Sequence, residues 1–309
     1  MVLNTRECFW FGTEERAGWF ATPLRGADSS PSSWGADGTL LNGGGYGFNA
    51  FGSHKRYTYE WPQSSSPQVA QMMKSYRDGT YGRGLLYFLE PGIYKTNVLP
   101  APWADPSMAI NNESPGVVYG VDPLGIPTSA ANVNDLPVTS AQYDLSGVAP
   151  QVAPTPDSSV FIPIPTNHTL LLGAFYSATG TAGVFATPIN DNGTLGDAVR
   201  LTEKDNSDST VVTDEFSGNL RGVRIWIGRE DSTESTITLT AMIGRLIETP
   251  DTDNPAKVAL ISAGPWIGGQ GHSGCRFLGA PSYVNNGPVE GGRVGFAASF
   301  VEVGSWVYG

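Results

Sequence analysis

Two cysteines and three histidines are all the thiol and imidazole chemistry in the chain. His272 and Cys275 stand three residues apart in a glycine-rich stretch and form a Cys–His couple of the kind that pairs a nucleophile with its base. No nucleophile elbow and no acid placed to orient the imidazole stand near them. A zinc site needs three or four ligands, and with only His54 and His168 besides, a Cys/His set is barely constructible. Glycoside hydrolysis needs two carboxylates facing each other across a cleft. The adjacent pairs Asp214–Glu215 and Glu230–Asp231 sit in turn-like contexts and read as solvated turn acids. Asp205 and Asp208 loosely resemble a calcium loop but lack the spacing to a closing glutamate. Gly45, Gly47 and Ala50 match a dinucleotide fingerprint, which works only where it opens a helix. Here an alternating strand follows at His54. The expectation is a protein with no catalytic residues, no cofactor and no metal.

Two further sets of residues carry weaker chemistry. Phe175, Tyr176, Phe185, Phe216 and Trp226 could stack on the apolar faces of sugars. Trp226 lies opposite Val223, Ile225 and Ile227 in strand alternation, so it is the ring expected to be exposed and to act as a stacking platform. Cys8 and Cys275, near opposite ends of the chain, come close to each other if those ends pair. Two buried thiols rather than a bond are then expected in a protein assembled inside a cell.

The elements that would position these residues are mostly strands. Residues 1–34 hold short apolar runs, such as Cys8 to Phe11, broken by Gly12, Gly18 and Pro23. From His54 to Trp61 the chain alternates, with Tyr57, Tyr59 and Trp61 on one face and Arg56, Thr58 and Glu60 on the other. One helix follows, with Ser66 as its cap, Pro67 at its first position and Gly79 at its stop. Val69, Met72, Met73 and Tyr76 form its apolar stripe. Residues 84–89 predict a buried strand. Residues 111–158, rich in Pro, Ala and Ser, predict an arm or linker with a few short strand candidates such as 117–121. Candidate strands return at 160–164, 169–176, 184–189, 211–213, 220–227 and 236–247, a spacing that suggests an inserted jelly-roll β-sandwich over residues 159–250. The closing stretch is too short to bury a core alone, so residues 1–110 and 256–309 are expected to pair as one split β domain.

Composition limits the function classes. The formal net charge is −11 with 18 Lys and Arg, and no basic cluster stands ready to displace phosphate counterions. Specific binding to nucleic acid is therefore not expected. Charged residues make up 15% of the chain, against an average of about 25%, while Gly (39), Pro (23) and 11% aromatics mark a loop-rich β protein. The start lacks the pattern of a signal peptide, and no apolar run is long enough to span a membrane, so membrane insertion is not expected.

The block WPQSSSPQVAQMMKSYRDGTYGRGLLYFLEPGIYKTNVLPAPWADPS, residues 61–107, resembles minor tail proteins of siphophages that infect actinobacteria. The closing segment, from GPWIGGQGHSGCRF to GGRVGFAASFVEVGSWVY, is similar in the same way. Within that class the layout resembles a distal tail protein. The resemblance implies a tail-tube-like β-sandwich or barrel with one packed helix, built from both chain ends, and an inserted jelly roll like a galectin or carbohydrate-binding module. It implies a virion structural protein, assembled in the host cytoplasm as a homo-oligomeric ring, a hexamer, at the tail tip or baseplate. Its partners would be the tail tube, the tape measure and tip or hub proteins, with passing DNA not retained by an acidic lumen. A module docking host cell-wall glycan through the inserted sandwich is the alternative. The returning C-terminal segment and the long Pro/Ala arm are not general features of that family.

Overall fold

A strand with water on one face alternates, whereas a strand buried on both faces is apolar throughout. The run from Phe9 to Phe11 is of the second kind, and the fold is organised around it. In the computed structural model the described residues are 9–20, 22–23, 28–32, 35–39, 45–49, 54–65, 67–82, 84–93, 97–104, 131–133, 136–138, 140–147, 149–150, 154, 159–204, 214–249, 269, 271–272, 274–285 and 294–302. The first third of the chain supplies β1 (Phe9–Gly12), β2 (Ala17–Phe20), β3 (Asp28–Ser32), β4 (Gly35–Thr39), β5 (Gly45–Asn49), β6 (His54–Ser65), helix α1 (Pro67–Arg77), β7 (Tyr87–Leu89) and the single turn α2 (Ala101–Ala104). The middle supplies β8 (Ala131–Val133), β9 (Leu136–Val138), β10 (Ala141–Asp144), β11 (Ser159–Pro163), β12 (His168–Ala178), β13 (Ala182–Asn190), β14 (Val199–Arg200), β15 (Glu203–Lys204), β16 (Asp214–Phe216), β17 (Leu220–Arg229) and β18 (Thr236–Glu248). The end supplies β19 (Cys275–Phe277), β20 (Ser282–Asn285) and β21 (Val294–Glu302). The chain is mostly β.

The two chain ends meet in one sheet, ordered β19-β21-β6-β3, with β20 also on β21. Alternation sets the register: Trp61, Tyr59 and Tyr57 of β6 stand opposite Phe296, Ala298 and Phe300 of β21, and all six are buried. Trp61 and Phe296 stack with centroids 4.5 Å apart, an arrangement worth roughly 0.5–1.5 kcal/mol beyond area burial. Helix α1 covers this core with Ala70, Met73 and Tyr76, and Val69 and Met72 pack at its margin. Pro67 occupies the first helical position, where no N–H is needed. The helix stops at Gly79 (φ 74°), with Gly79 N bonding Tyr76 O and Thr80 N bonding Ser75 O, the paired bonds of a Schellman end. Facing this sheet is a second, β2-β1-β7. The two sheets touch through the backbone pair Leu86–Cys275, at 2.9 and 2.8 Å, but remain separate. The terminal half is therefore sandwich-like, and the barrel alternative is corrected: the ladders do not run on into one closed sheet.

The middle of the chain forms two facing sheets, β10-β18-β12-β15, with β16 also on β12, and β11-β17-β13-β14. Pairing is antiparallel except for β15, which runs parallel to β12. The inner faces carry Leu170, Leu172, Ala174 and Tyr176 from β12, Val223, Ile225 and Ile227 from β17, and Met242 and Leu246 from β18. The expected linker over 111–158 ends differently from expectation. Ala141, Tyr143 and Leu145 are fully buried and β10 pairs along β18, so the last part of that stretch is an edge of the sandwich. The candidate strands at 117–121 and 211–213 lie outside the described residues.

Sheet β2-β1-β7 belongs to both cores. Phe9, Phe11, Phe20 and Phe88 point into the terminal core, while Trp10, Tyr87 and Leu89 point into the middle one. A strap from Asn97 to Ala104 adds a second join. Asn97, 1% exposed, donates to the Met242 carbonyl at 2.9 Å and accepts from Gly244 N at 2.9 Å and Leu99 N at 3.2 Å. Val98 N then bonds Gly244 O, so the strap extends the edge of β18 beyond β10. The strap passes close over Gly244, where a Cβ would sit 3.1 to 3.3 Å from the Val98 and Leu99 side chains. Asn97→Ala leaves buried backbone groups unpaired, each costing roughly 1–3 kcal/mol. A loss of about 2–4 kcal/mol in chemical denaturation is expected, and a change under about 0.5 kcal/mol, the range of ordinary surface substitutions, would show the strap does not bear on stability.

Candidate functional site

The turn between β1 and β2 is wedged against the end of the middle sandwich. Gly12 starts it because a Cβ would lie 2.3 Å from Ala17 Cα. Thr13 fixes it, with its N–H donating to Arg16 O at 2.9 Å and its hydroxyl donating to Tyr81 O at 2.8 Å and accepting from Arg16 N at 3.2 Å. Tyr76 OH also donates to Arg16 O, which ties the turn to α1.

Glu14 then reaches across to the sandwich. Arg224 Nη2 meets its two carboxylate oxygens at 2.5 and 2.7 Å, Arg224 Nη1 donates to Ser159 Oγ at 2.9 Å, and Tyr87 OH donates to Glu14 Oε1 at 3.1 Å. Arg224 is 8% exposed at its side chain and Glu14 28%. Charge-assisted bonds of this kind are about twice as strong as neutral ones. Burial first, and then the Glu14 carboxylate, push the Tyr87 phenol well above its ordinary range, so it stays protonated and able to donate. Arg221 adds a backbone tie, from Nε to Asp191 O at 2.7 Å and from Nη1 to Glu14 O at 3.3 Å. Beside these bonds lies a cleft of about 290 Å³, bounded by Trp10 and the turn on one side and by Thr166, Asp191, Leu220 and Arg221 on the other.

The residues singled out in the sequence fall elsewhere. Trp226 is 1% exposed, stacked on Phe185 at 4.4 Å and 18°, with Nε1 donating to Thr187 Oγ1 at 3.1 Å. It does lie opposite Val223, Ile225 and Ile227, but that second face of the sheet is buried too, so the exposed stacking ring is corrected. Phe175, Tyr176, Phe185 and Phe216 are likewise buried. Cys8 lies outside the described residues, and so do Asp205 and Asp208. Cys275 is fully buried, and burial followed by the nearby Glu302 pushes its thiol up, away from the thiolate a nucleophile needs. His272 packs its ring 4.3 Å from Phe88 and 4.5 Å from Tyr57, with Nε2 3.9 Å from Glu90 Oε1. The glycines before it serve packing. A Cβ at Gly269 or Gly271 would lie 2.1 and 1.8 Å from the carbonyls of Leu99 and Val98. Gly45 and Gly47 lie in β5, paired to β4, and open no helix. Asp231 is a solvent-exposed turn acid, its carboxyl held below the usual range by bonds from Thr233 and then Thr181. Among the described residues no group of three or more His, Cys, Asp or Glu could hold a metal ion, and no helix is long and apolar enough to cross a membrane.

Sequence reasoning passed over the Glu14–Arg224 pair. The available signal was Arg224 within the apolar run Val223 to Ile227, because an arginine in a buried strand requires an acidic partner. Since Trp226 fills a packed position, Trp226→Ala is expected to lower stability by about 3–5 kcal/mol. A variant that keeps its thermal midpoint and loses only affinity for a glycan would contradict that placement.

Comparison with protein-family models, curated proteins and solved structures finds no match to the chain.

Proposed function

We propose that this chain is a structural subunit of a phage tail tip, of the distal-tail kind, which joins the tail tube to the tip as a homo-oligomeric ring and lines the DNA exit channel. The observation that carries this reading is the layout: a sandwich-like half made from both chain ends, with one packed helix, interrupted by a second sandwich. The strand order of that second sandwich, a five-stranded sheet β10-β18-β12-β15 with β16 on β12 against the four-stranded β11-β17-β13-β14, supports the jelly-roll reading. This is the arrangement that the resemblance in residues 61–107 and in the closing segment implies.

The net charge of −11 suits a wall that DNA slides past, since like charge keeps the polyanion from adhering. On this reading the subunit assembles in the host cytoplasm with tail-tube, tape-measure and tip proteins, and resides in the virion. The alternative, a module docking cell-wall glycan by exposed aromatic rings of the middle sandwich, has no observation in its favour: the rings named for it are buried.

Light scattering combined with electron-microscopy class averages, on the full chain alone and then mixed with tail-tube protein, tests the proposal. Rings of sixfold symmetry are expected. A strict monomer under both conditions would overturn it.

A further inference from the structure

The cleft beside the β1–β2 turn is lined by charges of both signs that do not neutralise one another. Glu14, Glu15 and Arg16 stand on the turn side, Asp191 and Arg221 on the sandwich side, and of these the Glu14 carboxylate is already bonded by Arg224 and Tyr87. Among the described residues no ion pair joins either arginine to either of the other carboxylates. Each guanidinium is instead held from behind. Two backbone carbonyls fix Arg221, at 2.7 and 3.3 Å, which uses two of the five N–H groups of a guanidinium and leaves three to donate elsewhere. Arg16 lies over the Tyr81 ring, 4.2 Å from its centroid, a cation–π contact. Glu15 and Asp191 are both exposed, and the Asp191 backbone is fixed by the Asn219 carbonyl and by Arg221.

Mixed charge on an open surface is ordinary and stays solvated. Here the charges face one another across a half-open cleft. A space of about 290 Å³ sits at the lower end of the roughly 300–1,000 Å³ typical of ligand pockets, enough for one small molecule. A lone cation would meet two guanidinia and a lone anion the two carboxylates not already paired, Glu15 and Asp191, so either is opposed as well as attracted.

We propose that this cleft binds a compact zwitterion, an ammonium and a carboxylate a few bonds apart, as in an amino acid or the termini of a short peptide. Its carboxylate bonds the guanidinia of Arg221 and Arg16, and its ammonium donates to Asp191 and Glu15. The occupant would touch both halves of the molecule at once. This inference is independent of the tail-tip reading, since ring assembly and small-molecule binding are measured separately.

Titration calorimetry on the full chain tests it with alanine and alanyl-alanine as probes, the first standing for a free amino acid and the second for a peptide. Acetate, ethylammonium and N-acetylglucosamine are the controls. Saturable binding of at least one zwitterion is expected with a Kd of about 1 mM or tighter, and at least about tenfold weaker binding of every control. Asp191→Asn and Glu15→Gln, both on exposed side chains, are expected to weaken the zwitterion about tenfold while the thermal midpoint holds. No saturable binding of either zwitterion, unchanged affinity in both variants, or N-acetylglucosamine binding as tightly as the zwitterions would each overturn the proposal.

Discussion

Strands β1 and β7 have no face left for water. Their side chains alternate between two cores, Phe9, Phe11 and Phe88 to one side and Trp10, Tyr87 and Leu89 to the other, and every one of these is 6% exposed or less. Burying a side chain of this size is worth about 1.5–3 kcal/mol. Neither core can form fully without the sheet that walls it, and that sheet is too small to stand alone, at three strands of three or four residues. The rest of the molecule follows from this. The chain ends must return to enclose one face of the sheet, and the middle sandwich must dock on the other.

Docking two sandwiches through a shared wall brings polar groups inside with it. The backbone at the turn after β1 and along the edge of β18 has to find partners, since an unpaired buried group costs more than a made bond gains. Asn97 supplies them along β18, where it mimics a strand edge, and Thr13 supplies them at the turn, while the Glu14 carboxylate bridges the turn to the side chains of Arg224 and Tyr87. Removing one partner of a buried ion pair typically costs 3–5 kcal/mol, whereas the intact pair adds little net stability. The Glu14–Arg224 contact therefore sets how the halves are oriented more than how firmly they hold.

How far the sequence revealed this depended on how many faces each element buries. Strand β6, with Tyr57, Tyr59 and Trp61 inward and Arg56 and Glu60 exposed, has one wet face, and its alternation marked it without ambiguity. Helix α1 was equally plain, because its stripe, Pro67 and Gly79 all agree. The pairing of the chain ends followed from neither end having core enough. Trp226 misled because alternation tells which residues share a face and not whether the far face is dry. The Ala141 to Leu145 edge was hidden inside a stretch whose composition resembles a linker; among its described residues the fully buried hydrophobics are Ala141, Tyr143 and Leu145. Asn97 and Glu14 carry no motif at all. Their partners lie far away in sequence, the backbone of β18 for Asn97 and the side chains of Arg224 and Tyr87 for Glu14, and no local pattern encodes those.

Differential scanning calorimetry of the full chain tests most directly whether the shared sheet makes one cooperative unit of the two halves. The account predicts a single transition with matching calorimetric and van't Hoff enthalpies. Trp10→Ala, which opens the middle core, and Phe11→Ala, which opens the terminal core, should each lower that same transition, at a cost of about 3–5 kcal/mol. Two resolved transitions, with each substitution moving only one of them, would contradict it.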